Sequence, residues 1–99
     1  MVDKRRKPFG EADRVLRDDF DRDIQHHALS IAQAIKAMRR LSRLTQVEFA
    51  KHRGISLGTL KELESGNGSP KVETLNKIGA IFGLEIGFVR KARKTFDQP

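Results

Sequence analysis

The chain has 99 residues, of which 20 are Lys or Arg and 13 are Asp or Glu, so its formal net charge is +7. This length makes one domain, and no apolar run approaches the roughly 18 residues needed to cross a membrane. The absence of cysteine excludes disulfides and thiolate metal sites. We therefore expect a soluble, cytoplasmic protein.

The positive charge is unevenly distributed. Residues 1–23 carry seven basic and seven acidic side chains, whereas residues 24–66 carry seven and three, and residues 67–99 carry six and three. A basic surface supplies the salt-dependent part of affinity for nucleic acid. On charge alone, a solvated basic face without a partner explains the excess about as well.

Residues 1–23 predict a basic arm followed by a charged helix. The four basic side chains at positions 4 to 7 contact phosphate or are merely solvated. From position 11 to 23 the charges alternate in sign, and an apolar residue recurs every fourth position at Leu16, Phe20 and Ile24. This pattern predicts a helix with one apolar stripe, which packs either on this domain or on a partner.

Residues 24–83 predict a helical domain built around a pair of short helices. A first helix carries an apolar stripe at Ile24, Ala28, Ile31, Ile35 and Met38. Two short helices over residues 45–53 and 56–64 follow, with Thr45 and Glu48 as a capping box, Gly54 as a left-handed stop and Ser56 as the next cap. Such a pair is typical of the DNA-binding helix-turn-helix, whose second helix lies in the major groove.

The end of the chain predicts one more helix and a strand. Ser69 and Pro70 indicate the helix start, and Gly83 its end. Over residues 84–90 the period changes to two, which places Leu84, Ile86 and Phe88 on one side of a strand. A lone strand needs a partner, either the same strand of a second copy about a two-fold axis or the chain's own domain. Residues 91–99 predict a polar tail.

Residues 30–88 resemble the Cro/repressor type of helix-turn-helix, also called the xenobiotic-response-element family. The resemblance is carried by Leu44, Thr45, Gln46, Ala50, Gly54, Ile55, Ser56, Thr59, Leu60, Leu63, Glu64, Ser65, Gly66 and Leu84, together with residues 70–75. It implies five packed helices and a DNA-binding regulator that is commonly dimeric. The expected fold is all-α, a five-helix, lambda-repressor-like domain with an extra N-terminal helix and a short C-terminal β-strand for dimer pairing.

Residues 83–89 further resemble the strand of the HipB-like antitoxins of high-persistence toxin–antitoxin pairs. In those proteins the strand helps to join two subunits, and the dimer also holds a kinase-like toxin. Related antitoxins partner ribonuclease-like toxins instead. The resemblance therefore implies a homodimer with a possible toxin partner, and it assigns dimerisation to Leu84, Ile86 and Phe88.

The resemblance also implies the DNA-contacting residues. The start and outer face of the second motif helix supply Ser56, Leu57, Gly58, Thr59, Lys61 and Glu62, and the first motif helix supplies Gln46. The residues expected to position the DNA backbone are Gln46, Arg39, Arg40, Arg43, Lys51 and Arg53.

Four of these residues depart from the family pattern. Leu57 suits a thymine methyl group and Glu62 a cytosine amino group, whereas Gly58 makes no side-chain contact. Arg53 replaces a usual apolar residue, so we expect its stem to pack while its charged head reaches outward.

Catalysis, metals and cofactors are not predicted. The adjacent His26 and His27 point to different helix faces. Asp19, Asp21 and Asp23 imitate a calcium loop, but Ile24 replaces the required glycine. No phosphate-binding loop or nucleophile–base pair is recognisable.

The sequence therefore predicts a non-enzymatic, homodimeric transcriptional repressor that binds double-stranded DNA at a palindromic operator. The surfaces formed by residues 1–23 and 84–90 favour an antitoxin that holds a toxin and autoregulates its operon. The alternative is a stand-alone phage-type regulator. RNA binding ranks lower, because Phe is the only aromatic residue present.

Overall fold

The computed structural model describes residues 8–90 and shows an all-helical fold. In chain order its elements are α1 (Glu11–Gln25), α2 (Ile31–Ser42), α3 (Gln46–Arg53), α4 (Leu57–Ser65), α5 (Val72–Gly79) and a 3₁₀ turn (Ala80–Phe82). The predicted all-α class is confirmed, and the described residues form five α-helices. The charged N-terminal helix is one of these five and not an addition to them, as had been predicted. Most of the predicted basic arm and the polar tail (residues 1–7 and 91–99) lie outside the described residues. No helix between residues 8 and 90 is long and apolar enough to cross a membrane.

Local capping signals determine where the helix-turn-helix begins and turns. The Thr45 hydroxyl accepts the Glu48 N–H at 3.1 Å, and the Glu48 carboxylate accepts the Thr45 N–H at 2.9 Å. Gly54 ends α3 in the left-handed region with a φ of 68°. The Ser56 hydroxyl then accepts the Thr59 N–H at 3.0 Å and starts α4. The predicted helix pair and its tight turn are therefore confirmed.

Two helix starts differ from the prediction. Ile24 belongs to α1, so the expected boundary after residue 23 falls inside a helix. The next helix starts only at Ile31, because Ser30 and Gln33 form a second capping box with bonds of 3.1 and 2.9 Å. The last α-helix starts at Val72, after Lys71 in an extended conformation (φ −81°, ψ 144°). Ser69 therefore does not cap it.

All five α-helices contribute to one hydrophobic core. Its buried apolar side chains are Phe20, Ile35, Met38, Leu41, Phe49, Ala50, Leu60, Leu63, Leu75 and Ile78. Phe20 brings α1 into this core, since its ring packs edge-to-face on Phe82 with centroids 5.8 Å apart. Leu16, the first residue of the predicted stripe, stays 40% exposed. The charged helix therefore packs on this domain, which was one of the two alternatives for its apolar side.

The predicted C-terminal strand is not formed in the single chain. No β-strand occurs in the described part, residues 8–90, because a strand needs a second strand to pair with. Leu84 packs against the core, and a Cβ on Gly79 would lie 2.8 Å from the Leu84 carbonyl oxygen. The Ile86 N–H donates to the Asn76 side-chain oxygen at 2.8 Å, whereas Phe88 is fully exposed. The segment is thus anchored at its start and projects at its end.

Candidate nucleic-acid interface

The second motif helix, α4, has one exposed side. Leu60, Leu63 and Glu64 are buried on the opposite side. The exposed residues are Gly58, Lys61, Glu62 and Ser65. At about 100° per residue these four positions share an arc of roughly 100°. The outer side of α4 is therefore uncovered by the rest of the described chain, as insertion into a DNA groove requires.

The cap of α4 involves both hydroxyls predicted to contact DNA. Besides accepting the Thr59 N–H, the Ser56 hydroxyl donates to the Thr59 side-chain oxygen at 2.8 Å. The hydrogen of the Ser56 hydroxyl is thus used within the protein, while that of Thr59 remains to donate. Thr59 is half-buried at the edge of the exposed side. Of the two, Thr59 is therefore the better placed donor for a phosphate or a base.

A buried carboxylate joins the ends of α2, α3 and α4. Glu64 is 4% exposed. It accepts hydrogen bonds from Arg39 Nε at 2.7 Å and Nη2 at 3.0 Å, and from Gln46 Nε2 at 3.2 Å. Arg39 also donates to the Leu44 carbonyl at 3.3 Å. These bonds fix the start of α3 against the end of α4.

The protonation states of this network follow from its hydrogen bonds. Burial opposes ionisation of Glu64, but the bonds from Arg39 and Gln46 outweigh it, so the pKa of Glu64 lies below its ordinary value. The positive charge of Lys36 adds to this effect. The bond to Glu64 raises the pKa of Arg39 against the opposing effect of burial. Both groups of the pair are therefore charged at neutral pH.

The predicted backbone-contacting residues differ in their surroundings. Arg40 and Lys51 are exposed. The Arg43 guanidinium lies 4.9 Å from the Phe9 ring centroid, and Arg43 ends α2 with a left-handed φ of 58°. Arg39 is 21% exposed and bonded within the chain. Arg40 and Lys51 are thus the freest of these side chains to reach a phosphate.

Arg53 does not lie where the sequence analysis expected it. The residue is 8% exposed, its guanidinium lies 4.5 Å from the Phe49 ring centroid, and Nε donates to the Ile78 carbonyl at 3.3 Å. Burial lowers its pKa. The prediction that its charged head reaches outward is wrong, because α5 covers it. Arg53 joins α3 to α5 and is not available to DNA.

Two exposed residues were missed. Lys36 lies close enough to the Glu64 carboxylate to lower its pKa, and it precedes Arg39 and Arg40 by one helical turn. Its spacing of three and four residues from these arginines was the available signal. Ser65 lies one turn beyond Lys61 on the outer side of α4. Lys36 therefore extends the basic surface of α2 by one turn beyond the residues that were expected to contact the DNA backbone.

Between residues 8 and 90, no group of three or more His, Asp or Glu side chains is placed to hold a metal ion. His26 lies on the connection after α1, with its Nδ1 2.9 Å from the Arg22 carbonyl oxygen.

The family model described as helix-turn-helix matches residues 35–89, more than half of the chain. The protein belongs to the Cro/repressor type of helix-turn-helix family. The immunity repressor protein of Bacillus phage phi105 is 28% identical to this helix-turn-helix protein over 61 residues, which are 62% of this chain and 42% of the repressor. The chain thus spans less than half the length of that relative. No solved structure matches the chain of this helix-turn-helix protein.

Proposed function

We propose that this helix-turn-helix protein is a non-enzymatic transcriptional repressor that binds specific DNA sequences as a homodimer. The observation that carries the proposal is the exposed outer side of α4, formed by Gly58, Lys61, Glu62 and Ser65. The other sides of α4 are packed in the core or held by the bonds of Glu64. The name of the phage relative, an immunity repressor, supports repression as the outcome of binding.

The proposed interface divides into base-reading and backbone-positioning parts. Lys61, Glu62 and Thr59 face the base edges in the major groove, where lysine and glutamate recognise guanine and cytosine, respectively. The residues that contact phosphates are Gln46, Lys36, Arg40 and Lys51. Gln46 donates one amide hydrogen to Glu64 and keeps a second for the duplex. Phosphate contacts of this kind fix the register of the helix on the DNA.

The C-terminal segment supports the proposed homodimer. Ile86, Phe88 and Val89 are 42%, 108% and 62% exposed. Pairing of residues 84–90 with the same segment of a second copy would cover part of this apolar surface and bond backbone groups beyond Ile86, whose own N–H already donates to Asn76. Two copies of α4 would then enter successive major grooves about 34–36 Å apart. A palindromic operator follows from this symmetry.

We also propose that the repressor is the antitoxin of a toxin–antitoxin pair and autoregulates its operon in the cytoplasm. The resemblance of residues 83–89 to HipB-like antitoxins supports this role, as does α1, which lies outside the residues that the family model matches.

The alternative is a stand-alone phage-type regulator, which the phage relative favours. Co-purification of a kinase-like or ribonuclease-like product of an adjacent gene supports the antitoxin. Tight operator binding without such a partner supports the alternative.

Replacement of Lys61 tests DNA reading directly. We expect Lys61→Ala to weaken binding to the operator by about 1–3 kcal/mol if Lys61 reads a base. The measurement is fluorescence anisotropy with the protein's own promoter fragment and with a random duplex of the same length. Lys77→Ala is the matched control, since Lys77 is an exposed lysine on α5 and its loss changes the net charge equally.

The two duplexes distinguish the possible roles of Lys61. A loss confined to the operator assigns it to base reading. An equal loss on both duplexes reassigns it to phosphate contact. Operator binding unchanged from the wild type, or reduced no more than in Lys77→Ala, removes Lys61 from the interface.

A further inference from the structure

Gly58 is a glycine in the first turn of α4, on its exposed outer side. After proline, glycine is the least favourable residue in a helix, because the unfolded chain loses the most conformational freedom there. A glycine at such a position therefore calls for a specific reason. The reason lies either in the packing of the chain itself or in what approaches the helix from outside.

The packing of the chain provides no reason for Gly58. Its backbone is helical, and a Cβ placed on it would meet no other heavy atom within 4 Å. Elsewhere in the described residues, five glycines have clear internal roles, whereas Gly10 and Gly87 lie outside the helices. Gly54, Gly66, Gly68 and Gly83 adopt positive φ angles. Gly79, which is also helical, admits the Leu84 carbonyl at a distance that no Cβ tolerates. An alanine at position 58 would thus fit the isolated domain without strain.

The neighbours of Gly58 are the residues proposed to read DNA. Lys61 and Glu62 follow it by three and four positions and lie beside it on the same exposed side. The missing side chain leaves a gap between these two residues and the start of the helix. A helix with its side chains is about 10–12 Å across, and the major groove is about 12 Å wide. A helix of this width fills the groove, so the absence of a side chain at position 58 lets the backbone of the first turn come closer to the base edges than a side chain there would allow.

We propose that Gly58 is the point of closest approach between α4 and the duplex. The absence of a side chain lets the first turn of α4 enter the groove deeply enough for Lys61 and Glu62 to reach base edges. This inference rests on the proposed DNA binding and adds to it a residue that acts through its lack of a side chain. Gly58 is in this sense a specificity-determining position, because full insertion is required only on a duplex whose bases are read.

The test is Gly58→Ala, which affects folding and DNA binding in opposite directions. We expect the melting temperature to rise by roughly 2–6 °C, because alanine stabilises an unstrained helical position. We expect the affinity for a duplex selected from a random library by the wild-type protein to fall about tenfold or more. The affinity for random DNA should change much less. Circular dichroism gives the melting temperature, and fluorescence anisotropy gives the dissociation constants.

Gly10→Ala is the matched control. A Cβ on Gly10 would also meet no heavy atom within 4 Å, and its φ is not positive, but Gly10 lies before α1, away from α4. We expect the affinity of Gly10→Ala for the selected duplex to equal that of the wild type. Wild-type affinity in Gly58→Ala would overturn the inference and leave the proposed function standing. Loss of both affinity and helical signal would also overturn it, since the glycine would then serve folding. Failure of the wild type to enrich any duplex would instead overturn the proposed function.

Discussion

At the scale of single residues, Glu64 shows how a buried charge fixes the geometry of the helix pair. Its carboxylate receives three hydrogen bonds from Arg39 and Gln46, which belong to two other helices. Removal of the negative charge would leave the Arg39 guanidinium without its ionic partner at a largely buried site. The network therefore couples the stability of the domain to the orientation of Gln46, which is proposed to contact the DNA backbone.

The substitution Glu64→Gln tests this coupling. We expect it to lower the free energy of unfolding at pH 7 by roughly 1–3 kcal/mol, because the charged carboxylate that accepts from Arg39 and Gln46 is replaced by a neutral amide with a single accepting oxygen. The pKa of Glu64 is lowered by folding, so its stabilising contribution is complete above the ordinary value of 4.5 and is lost as the pH falls through the folded-state pKa. The difference between wild type and variant should therefore shrink in acid.

Urea unfolding at pH 7 and at successively lower pH values below 4.5 measures this difference. Glu73→Gln is the control, since Glu73 is an exposed glutamate on α5. Its effect should be small at every pH. A Glu64→Gln effect that stays constant from neutral to acid pH would show that the carboxylate does not stabilise the fold through its charge.

At the scale of the helices, α1 is part of the domain although the family model does not cover it. Phe20 is 5% exposed and packs on Phe82, and the Arg17 guanidinium lies 5.5 Å from the same ring. Phe82 lies in the 3₁₀ turn that follows α5. The first helix of the chain therefore packs against the turn that follows the last one. We infer that α1 folds together with the helix-turn-helix and not as a separate extension.

Phe20→Ala tests this role of α1. We expect it to lower the free energy of unfolding by about 3–5 kcal/mol, as large-to-small changes at buried phenylalanines do. A single unfolding transition should remain, because α1 shares its core with the other helices. Val15→Ala is the control on the same helix, since Val15 is 49% exposed. Equal, small effects of both substitutions in urea unfolding would show that α1 is dispensable for the fold.

Three signals that act within four residues were predicted correctly: the Thr45 capping box, the left-handed Gly54 and the Ser56 cap. The predicted Ser69 cap, a signal of the same range, was wrong. The start of α2 was wrong, although Ser30 and Gln33 form the same kind of box, because the apolar spacing runs through Ile24 across the boundary. A periodic apolar pattern does not show where one helix stops and the next begins.

Contacts between distant parts of the chain could not be predicted. Arg53 is 25 residues from the Ile78 carbonyl to which its Nε donates, and its guanidinium lies over the ring of Phe49, which is itself fully buried. The position of Arg53 within α3 does not indicate that α5 will bury its side chain. The residues on the outer side of α4 were predicted more fully, because their exposure follows from helical spacing and from the buried leucines Leu60 and Leu63.

At the scale of the whole molecule, the proposed homodimer depends on the C-terminal segment, residues 84–90. The Asn76 side chain and the close contact of Leu84 with Gly79 hold the start of the segment on the domain. The apolar Phe88 and Val89 then project from it. An anchored segment with an exposed apolar end is suited to pair with its counterpart, since the anchor reduces the entropy lost on association.

Replacement of Phe88 separates folding from dimerisation. We expect Phe88→Asp to leave the unfolding of the single domain within about 0.5 kcal/mol of the wild type, because Phe88 is fully exposed there. Dimerisation should weaken strongly, since two carboxylates would face the two-fold axis in place of two rings. Sedimentation equilibrium measures the association. Ile81→Asp is the control, because Ile81 is 72% exposed but lies outside the segment.

The same variant connects dimerisation to DNA binding. A duplex with two half-sites should lose affinity for Phe88→Asp, whereas a duplex with one half-site should bind both proteins equally, because each α4 is unchanged. The ratio of the two affinities therefore reports the contribution of the second copy, independently of how well one helix reads its bases. A wild-type protein that sediments as a monomer at all concentrations, or a Phe88→Asp protein that remains fully dimeric, would contradict pairing through residues 84–90.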